Sequence, residues 1–404
     1  EKNEDTVFDF DTQPIEIERE GDWIRAKGTT LGADNGIGVA AAMAAADDAS
    51  VVHGPLELLF TVDEETGLNG AFNLDGSKLK GKYLLNMDSE EWGFLFVGCA
   101  GGGDANLSLP LAKAAVPAGY KSLRLQVSGL LGGHSGLNIL DNRANAVKLL
   151  VWTLKAFRAA GVPFALGALH GGDKHNAIPR EARALVAAPV DAVERLRALA
   201  NEAEAGFMIE YGKREPGLAV VLNDADALDV ALDTPTRDRA LDFLDALPHG
   251  IETMSQDIKG MVETSTNVAR VRTEDASLTV LTSTRSAVQP PLEALRGKIA
   301  AVAALAGASI EMGEAYPGWQ PDMDSPLLAT CLKVYERLYG AAPEVTAIHA
   351  GLECGIIGEK VPGLQMISYG PDLRDVHSPR EKVHIPSTAL FWQYTKALLA
   401  DLTA

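Results

Sequence analysis

The sequence has few cysteines, no long apolar run and no leader-like start. Its three cysteines are too few and too far apart for a disulfide framework, which favours a reducing compartment. No apolar run approaches the length of about 20 residues that a membrane-spanning helix needs. The first residues, EKNEDTVFDFD, lack the basic and apolar regions of a signal peptide. We therefore predict a cytoplasmic protein with no membrane partner.

Positive charge is also scarce. Lysine and arginine number 36 against 55 aspartates and glutamates, so the formal net charge is −19. Such a field repels nucleic acid and anionic membrane surfaces, and it suits metal ions and small neutral or cationic substrates. With 404 residues and 47% apolar content, the chain is long enough for two domains with a sizeable core.

Both ends of the chain alternate helix and strand patterns. Residues 38–50 are rich in alanine and predict a buried helix, and residues 55–62 (PLELLFTV) alternate as a strand does. Further strands are predicted at 81–88 and 363–370. This alternation indicates an α/β domain whose sheet is mostly parallel.

The middle of the chain has a different pattern. Strands are predicted at 122–130, 183–190 and 275–286, and they are interleaved with long helices at 191–210 and 292–305. This order is typical of a separate α+β domain.

A stretch rich in Pro and Gly, residues 314–326, fits a linker that returns to the first domain. We therefore predict a catalytic domain in two parts, 1–101 and 316–404, with an inserted lid domain at 102–315.

Four groups of carboxylates lie at predicted strand ends or turns. They are Asp34, the run Asp63, Glu64 and Glu65, Asp88, and Asp372 with Asp375. The carboxyl ends of strands line the ligand crevice of an open α/β sheet. Carboxylates that converge there cannot all stay ionised without a cation, which favours one or two divalent metals. Ordinary solvated turns are the alternative, and Asp34 also fits a helix-capping turn.

His377 follows the strand predicted at 363–370, in a loop that contains proline. One imidazole among carboxylates suits zinc, cobalt or manganese better than calcium. Two adjacent glutamates can divide the work, one binding metal and the other taking a proton from a metal-activated water. The alternative is that His377 is an ordinary surface residue of a loop.

Nine stretches, in order along essentially the whole chain, resemble aminoacyl-histidine dipeptidases. They are GTTLGADNGIG, LLFTVDEETGLNGA, LLNMDSEE, GCAGG, GGHSG, NAIPREA, AYPGWQPD, HAGLECG and HSPREKVHIPS. These enzymes, also called Xaa-His or cytosolic non-specific dipeptidases of the peptidase D type, belong to a dinuclear-zinc metallopeptidase clan with carnosinases and aminoacylases. The resemblance implies a zinc-peptidase-type catalytic domain with a lid.

The resemblance also implies roles for the acidic residues. Asp34 is expected to bridge two metals, and Glu64 to act as the general base. Glu65 and His377 are expected to bind one metal, and Asp88 the other. The cofactors would be two divalent ions, of which zinc is favoured over cobalt or manganese.

In the inserted domain, His134 resembles a lid histidine that polarises the scissile carbonyl. The residues that resemble substrate-binding groups are Asn176, Asn267, Arg285, His349 and Glu353. From the residues alone, His134 also fits an ordinary loop, Arg285 a surface charge, and the pair His349 and Glu353 a structural hydrogen bond.

One motif of the family has no counterpart. A His-x-Asp sequence supplies a histidine to the second metal and normally precedes the stretch matched by EKNEDT. None of the eight histidines is followed two residues later by Asp. We therefore expect the first strands of the sheet to be missing and the second metal site to be impaired.

The expected activity is metal-dependent hydrolysis of dipeptides, of the Xaa-His type with broad specificity, by a chain that could be a homodimer. Two alternatives stay open. One is another hydrolase of the clan, an aminoacylase or a carboxypeptidase. The other is an inactive fragment, because the His-x-Asp motif is absent.

Overall fold

The computed structural model describes residues 1–403, and the chain divides into two compact units. The first combines Glu1–Cys99 with Trp319–Ala404, and the second is Ala100–Gly318. The sequence prediction placed the corresponding boundaries at 101/102 and 315/316.

The first stretch of unit 1 contains strands β1 to β4 and helices α1 and α2. Their bounds are β1 Ile17–Glu20, β2 Trp23–Ala26, α1 Ala33–Asp47, α2 Asn69–Phe72, β3 Tyr83–Asn86 and β4 Phe94–Cys99, with a 3-10 turn at Gly76–Lys78. Extended backbone connects α1 to α2 and carries the acidic run that begins at Asp63.

Unit 2 contains β5 to β17 and α3 to α6. Its strands are β5 Gly101–Pro110, β6 Lys113–Ala115, β7 Tyr120–Ser128, β8 Gly133–His134, β9 Ala165–Gly171, β10 Ala177–Ile178, β11 Ala182–Pro189, β12 Ala219–Asp224, β13 Val230–Leu232, β14 Gly250–Met254, β15 Val262–Thr273, β16 Ser277–Ser286 and β17 Ser309–Met312. Its helices are α3 Ala146–Ala159, α4 Val193–Tyr211, α5 Thr234–Ala246 and α6 Gln289–Ala306, with a 3-10 turn at Val190–Ala192.

The large sheet of unit 2 is antiparallel, with strand order β12-β7-β11-β9-β15-β16-β5-β17 and β14 beside β15. The alternating apolar residues of β7, such as Leu123, Leu125 and Val127, are fully buried in one continuous core with α3 and α5. This α+β arrangement is the one that the sequence predicts for the middle of the chain.

The last stretch returns to unit 1. It contains α7 Pro326–Tyr339, β18 Glu344–Ile348, α8 Glu353–Lys360, β19 Gln365–Ser368, β20 Leu373–Arg374, β21 Lys382–His384 and α9 Ile385–Asp401. Ser325 caps the start of α7, its hydroxyl accepting a hydrogen bond from the backbone N–H of Leu328.

The main sheet of unit 1 has the order β18-β4-β19-β3. The pairs β18–β4 and β19–β3 are parallel, and β19–β4 is antiparallel. The predicted α/β class, with a mixed and mostly parallel sheet, is confirmed. A second sheet, β1-β2-β21-β20, carries the loop that contains His377 between its last two strands.

One predicted strand is wrong. Residues 56–61 run without a bend, but residues 55–62 form no ladder with any strand that the structure describes in residues 1–403. The sequence alternates at Leu56, Leu58, Phe60 and Val62 as a strand does. The segment nevertheless forms no strand, because no adjacent strand pairs with it. Among the same described residues, no helix is long and apolar enough to cross a membrane.

Candidate metal centre

Asp34 lies where α1 begins. Gly32 precedes it with a φ of 74°, in the left-handed region that glycine tolerates best, and Asp34 itself has non-helical backbone angles. This irregular first turn directs the carboxylate away from the regular path of the helix. Glu64 and Glu65 follow Asp63, whose positive φ of 57° turns the chain sharply at the end of the extended segment.

Three of the predicted ligands lie together. The Nε2 atom of His377 is 3.0 Å from Oδ2 of Asp34 and 3.0 Å from Oε2 of Glu65. One ligand atom from each of the three residues lies within 4.8 Å of the others. Two carboxylates and one imidazole at this spacing form a donor set suited to a divalent transition metal.

Glu64, Asp88 and Glu353 line the same cavity, of about 300 Å³, together with Asp34 and Glu65. The residues come from four separate parts of unit 1: the start of α1, the turn after the extended segment, the end of β3 and the start of α8. The cavity therefore gathers five carboxyl groups from positions up to 319 residues apart, Asp34 and Glu353 being the most distant.

This concentration of charge changes the pKa values. Burial, followed by repulsion from Glu65, Glu353 and Asp34, raises the pKa of Glu64 to about 7. Burial and the nearby carboxylates Asp34 and Glu64 raise the pKa of Asp88 well above its usual range. Without a cation, several of these groups hold protons near neutral pH.

His377 responds to the same charges. Burial lowers the pKa of its imidazole, but attraction to Glu65 and Asp34 outweighs that effect, so the pKa is raised. A metal ion would replace the imidazolium proton in this position, because a ligating histidine must be neutral.

A buried carboxylate oxygen also supports a bound cation. Oε2 of Glu353 accepts a hydrogen bond from the Thr61 hydroxyl at 2.9 Å, while Oε1 is buried and has no hydrogen-bond partner among residues 1–403. Buried oxygens of this kind are nearly always satisfied in folded proteins. The donor set and this unsatisfied oxygen together fit one or two divalent ions.

Sequence reasoning missed Glu381, which holds Asp34 in place. The carboxylate of Glu381 is 2% exposed and accepts hydrogen bonds from the backbone N–H groups of residues 31–34, at 2.7 to 3.2 Å. It thus satisfies donors at the amino end of α1, where a negative charge is favourable. Because Glu381 lies only four residues after His377, it ties together the loops that carry two of the ligands.

We expect Glu381→Gln to weaken zinc binding by about tenfold or more, since partners that orient metal ligands have effects of this size. Glu57→Gln is the matched control, because Glu57 also accepts backbone hydrogen bonds, from Lys80 and Gly81, but at an exposed position. Calorimetric zinc titration of both variants measures the effect. Equal affinities in the two variants would contradict a positioning role for Glu381.

Glu90 is a second residue that sequence reasoning missed. Burial and repulsion from Asp34 raise its pKa to about 7, so it belongs to the same electrostatic group. In the sequence, the acidic run that follows Asp88 could have indicated that Glu90 belongs to the site.

Two of the acidic groups named from the sequence serve other purposes. Asp63 accepts hydrogen bonds from Thr66 and Asn69 within its own turn. Asp372 accepts one from the backbone N–H of Trp92. His349 is buried just after β18, and it is not among the residues that line the cavity of about 300 Å³.

In unit 2, His134 lies on the short strand β8, which pairs with β10. Its Nδ1 accepts hydrogen bonds from the backbone N–H groups of Gly136 and Leu137, at 3.2 and 3.1 Å. Burial, followed by repulsion from Arg285 and His175, lowers its pKa to about 4. The imidazole is therefore neutral near pH 7 and carries its proton on Nε2.

The other predicted residues of unit 2 lie near this ladder. The backbone C=O of Asn176 accepts a hydrogen bond from Ser135, and the side-chain amide of Asn267 donates one to the C=O of Ala177 at 2.7 Å. The Arg285 guanidinium is 6% exposed and donates to the Tyr316 hydroxyl at 3.2 Å, whereas its buried Nε has no hydrogen-bond partner among residues 1–403.

Comparison with known proteins places these residues in a family. The model of peptidase family M20/M25/M40 matches residues 5–400. The cytosol non-specific dipeptidase of Escherichia coli K12 is 42% identical over 404 residues, which are 100% of this chain and 83% of that protein.

Solved structures agree. The aminoacylhistidine dipeptidase of Vibrio alginolyticus superposes with a TM-score of 0.91 at 42% identity, covering 98% of this chain and 81% of its own. The aminopeptidase PepT of Bacillus cereus has a TM-score of 0.52 at 16% identity, covering 96% and 77%, and shares the fold. The chain belongs to peptidase family M20/M25/M40.

Proposed function

We propose that this protein is a cytoplasmic metallo-dipeptidase that hydrolyses dipeptides of the Xaa-His type with broad specificity. One observation carries the proposal: Asp34, Glu65 and His377 form a carboxylate–imidazole triad, and the further carboxylate of Glu64 lines one cavity with Asp34 and Glu65. The dipeptidases of E. coli and V. alginolyticus support it, because both are similar to this chain over nearly its whole length. A homodimer stays a prediction.

In this proposal, Asp34, Glu65 and His377 hold one divalent ion, and Asp34 and Asp88 hold a second. Zinc suits the mixed oxygen and nitrogen donors, with cobalt or manganese as substitutes. When bound, such ions supply a Lewis acid that polarises the scissile carbonyl and makes a water molecule more acidic.

Glu64 is the proposed general base. Glu64 lies in the same turn as Glu65 and lines the cavity beside the triad, so its carboxylate is available to accept the proton of the attacking water. The same oxygen then returns the proton to the leaving amine. Dividing metal binding and proton transfer between two adjacent glutamates avoids a conflict, because a carboxylate that binds metal is a weak base.

His134 is the proposed donor to the substrate oxygen. Its Nδ1 is occupied by two backbone N–H groups, so the neutral ring has its Nε2–H available for a hydrogen bond to a carbonyl that gains negative charge. A neutral donor with a low pKa is not lost by deprotonation as the pH rises through 7.

Arg285 is the proposed partner of the substrate carboxylate. Arg285→Gln should raise the KM for dipeptides by about tenfold or more, since a buried charge partner is worth several kcal/mol. The KM for the matching dipeptide amides, which lack that carboxylate, should change little. Arg272→Gln is the control, because Arg272 lies on the neighbouring strand β15 but forms an exposed pair with Asp173. Equal increases in KM for the dipeptides and for their amides would contradict this role of Arg285.

A substrate panel tests the reaction itself. The zinc-loaded chain is incubated with Xaa-His and other dipeptides, with N-acetyl amino acids, and with longer peptides. Release of free amino acids from the dipeptides is expected. Preferential release of acetate would indicate an aminoacylase, preferential cleavage of long peptides a carboxypeptidase, and no turnover of any substrate would contradict the proposal.

A further inference from the structure

The loop of unit 2 that carries His134 has little apolar support of its own. It comprises residues 131–144, between β7 and α3, and we call it the His134 loop. Of the four large aliphatic side chains in this loop, Ile139 is buried, and the other three are more than half exposed, namely Leu131, Leu137 and Leu140. Hydrophobic burial therefore contributes little to the conformation of the loop, and polar contacts have to hold it.

The backbone that leads into His134 is also weakly constrained. Gly132 and Gly133, with φ angles of 64° and 127°, directly precede it, and glycine has many other conformations open to it. Two side chains of the loop brace this path. Asn138 accepts a hydrogen bond from the N–H of His134 at 3.0 Å, and Arg143 donates one to the C=O of Gly132 at 2.6 Å. These contacts hold the loop together internally, but they do not attach it to the rest of unit 2.

Glu215 makes that attachment at both ends of the His134 loop. Its side chain is 0% exposed. Oε2 accepts a hydrogen bond from the backbone N–H of Leu131 at 2.7 Å, and Oε1 accepts one from the backbone N–H of Ala144 at 3.1 Å. A single carboxylate thus closes the base of the loop.

The turn that carries Glu215 is itself firmly held. The N–H of Glu215 donates to the C=O of Tyr211 at 2.8 Å, and its C=O accepts from the N–H of Leu218 at 3.1 Å. The same turn abuts the end of β7, because a Cβ on Gly129 would lie only 1.8 Å from the carbonyl oxygen of Gly217. The carboxylate therefore acts from a fixed point next to the loop.

The chemistry of the Glu215 side chain suits this double contact. Each of its two oxygens accepts from a different N–H group, which is the pattern of an ionised carboxylate. Hydrogen bonds from N–H groups to a charged acceptor are stronger than those to a neutral one. A glutamine could satisfy only one of the two N–H groups, because its NH₂ group would face the other.

We propose that Glu215 is a positioning residue, which closes the base of the His134 loop and thereby fixes the imidazole of His134 for its hydrogen bond to the substrate oxygen. The part of this inference that concerns catalysis rests on the proposed function. Between the two anchored ends lie the N–H groups of Gly136 and Leu137, which bind Nδ1 of His134 and orient its ring. If the base opens, the ring gains access to water and Nε2–H loses its fixed direction.

Titration of His134 by nuclear magnetic resonance tests the proposal without a substrate. The ring signal is assigned by its loss in His134→Gln. In the wild type, burial, followed by repulsion from Arg285 and His175, lowers the pKa of His134 to about 4. Glu215→Gln is expected to raise this pKa toward the ordinary histidine value of about 6.5, because water reaches the ring.

Glu204→Gln is the matched control. Glu204 lies on α4 and also accepts a backbone hydrogen bond, from Val220 at 2.6 Å, but its partner belongs to the edge strand β12 and not to the His134 loop. This variant should leave the pKa of His134 unchanged. In the zinc-loaded protein, Glu215→Gln should also lower kcat for dipeptides by about tenfold to 100-fold with little change in KM, since displacing a catalytic group by about 1 Å has effects of this size.

The outcomes separate this inference from the proposed function. An unchanged pKa of His134 in Glu215→Gln, or an equal change in Glu204→Gln, would overturn the positioning role. A raised KM with unchanged kcat would overturn it as well. If the wild type hydrolyses no dipeptide, the proposed function fails, whereas the titration still decides whether Glu215 fixes the ring.

A second variant and a second measurement cover a failure of Glu215→Gln to fold. Glu215→Asp keeps the charge but is one methylene shorter, so it should lose one of the two hydrogen bonds and raise the pKa of His134 by a smaller amount. Hydrogen exchange of the wild type then gives an independent result. Slow exchange of the amides of Leu131 and Ala144, comparable to that of the interior of α3, is expected, and rapid exchange of both would contradict a closed base.

Discussion

Glu64→Gln is expected to lower kcat for dipeptide hydrolysis by about 1,000-fold or more while zinc content stays the same. The amide keeps the shape of the side chain but cannot accept a proton, and general-base catalysis contributes up to about four orders of magnitude. The triad of Asp34, Glu65 and His377 is left intact by this change. Initial rates and elemental analysis of the same samples measure both quantities.

Asp63→Asn is the matched control for this variant. It makes the same carboxylate-to-amide change one residue away, but Asp63 forms hydrogen bonds within its turn and does not line the cavity. The control is expected to keep most of the activity. A Glu64→Gln variant with near wild-type kcat would show that another group takes the proton.

The second large effect concerns pH and metal. With divalent ions removed by a chelator, the stability of the chain is expected to fall as the pH rises from about 4.5 to about 7. Glu64 and Glu90, with native-state pKa values of about 7, then hold protons that the unfolded chain releases. Because the native state binds more protons in this range, raising the pH favours unfolding.

The other groups of the site act in the same direction. The pKa values of Glu65, Asp88 and Glu353 are raised by burial. The raised pKa of His377 means that its favourable charge is also lost as the pH rises. Bound zinc should offset this loss, because it neutralises the carboxylates and is held more tightly as its ligands lose protons.

Tryptophan fluorescence during thermal unfolding measures the loss of stability of unit 1 as the pH rises. Four of the five tryptophans lie there, namely Trp23, Trp92, Trp319 and Trp392. The chelated protein should show a falling midpoint between pH 5 and pH 7.5, and the zinc-loaded protein a higher midpoint with a smaller fall. Identical pH profiles with and without zinc would contradict an electrostatic site that a cation relieves.

Local patterns were sufficient to predict several of the helices and strands. The alanine-rich stretch became α1, and the alternation at 275–286 became β16, because the periodicity of buried side chains is a local property. The alternation at 55–62 is equally clear, yet it forms no strand, since a strand also needs a partner in space. That information is not contained in the segment itself.

The site could be predicted only in part, for a similar reason. Carboxylates at predicted strand ends or turns pointed to Asp34, Glu65 and Asp88, and all three line one cavity, although only Asp88 follows a strand of the structure. Glu381 gave no such signal: it acts on backbone N–H groups 347 to 350 residues away, and its role depends on how two distant loops meet. The roles proposed for His134 and Arg285 stay predictions.

Metal stoichiometry tests the central claim most directly. The purified chain and its Asp34→Asn variant are dialysed with zinc, freed of unbound metal, and analysed for zinc per chain. We expect at least one tightly held ion in the wild type and a large loss in the variant, because Asp34 belongs to both proposed sites. A wild-type chain that retains no zinc, or a variant that retains as much as the wild type, would contradict a metal centre at Asp34, Glu65 and His377.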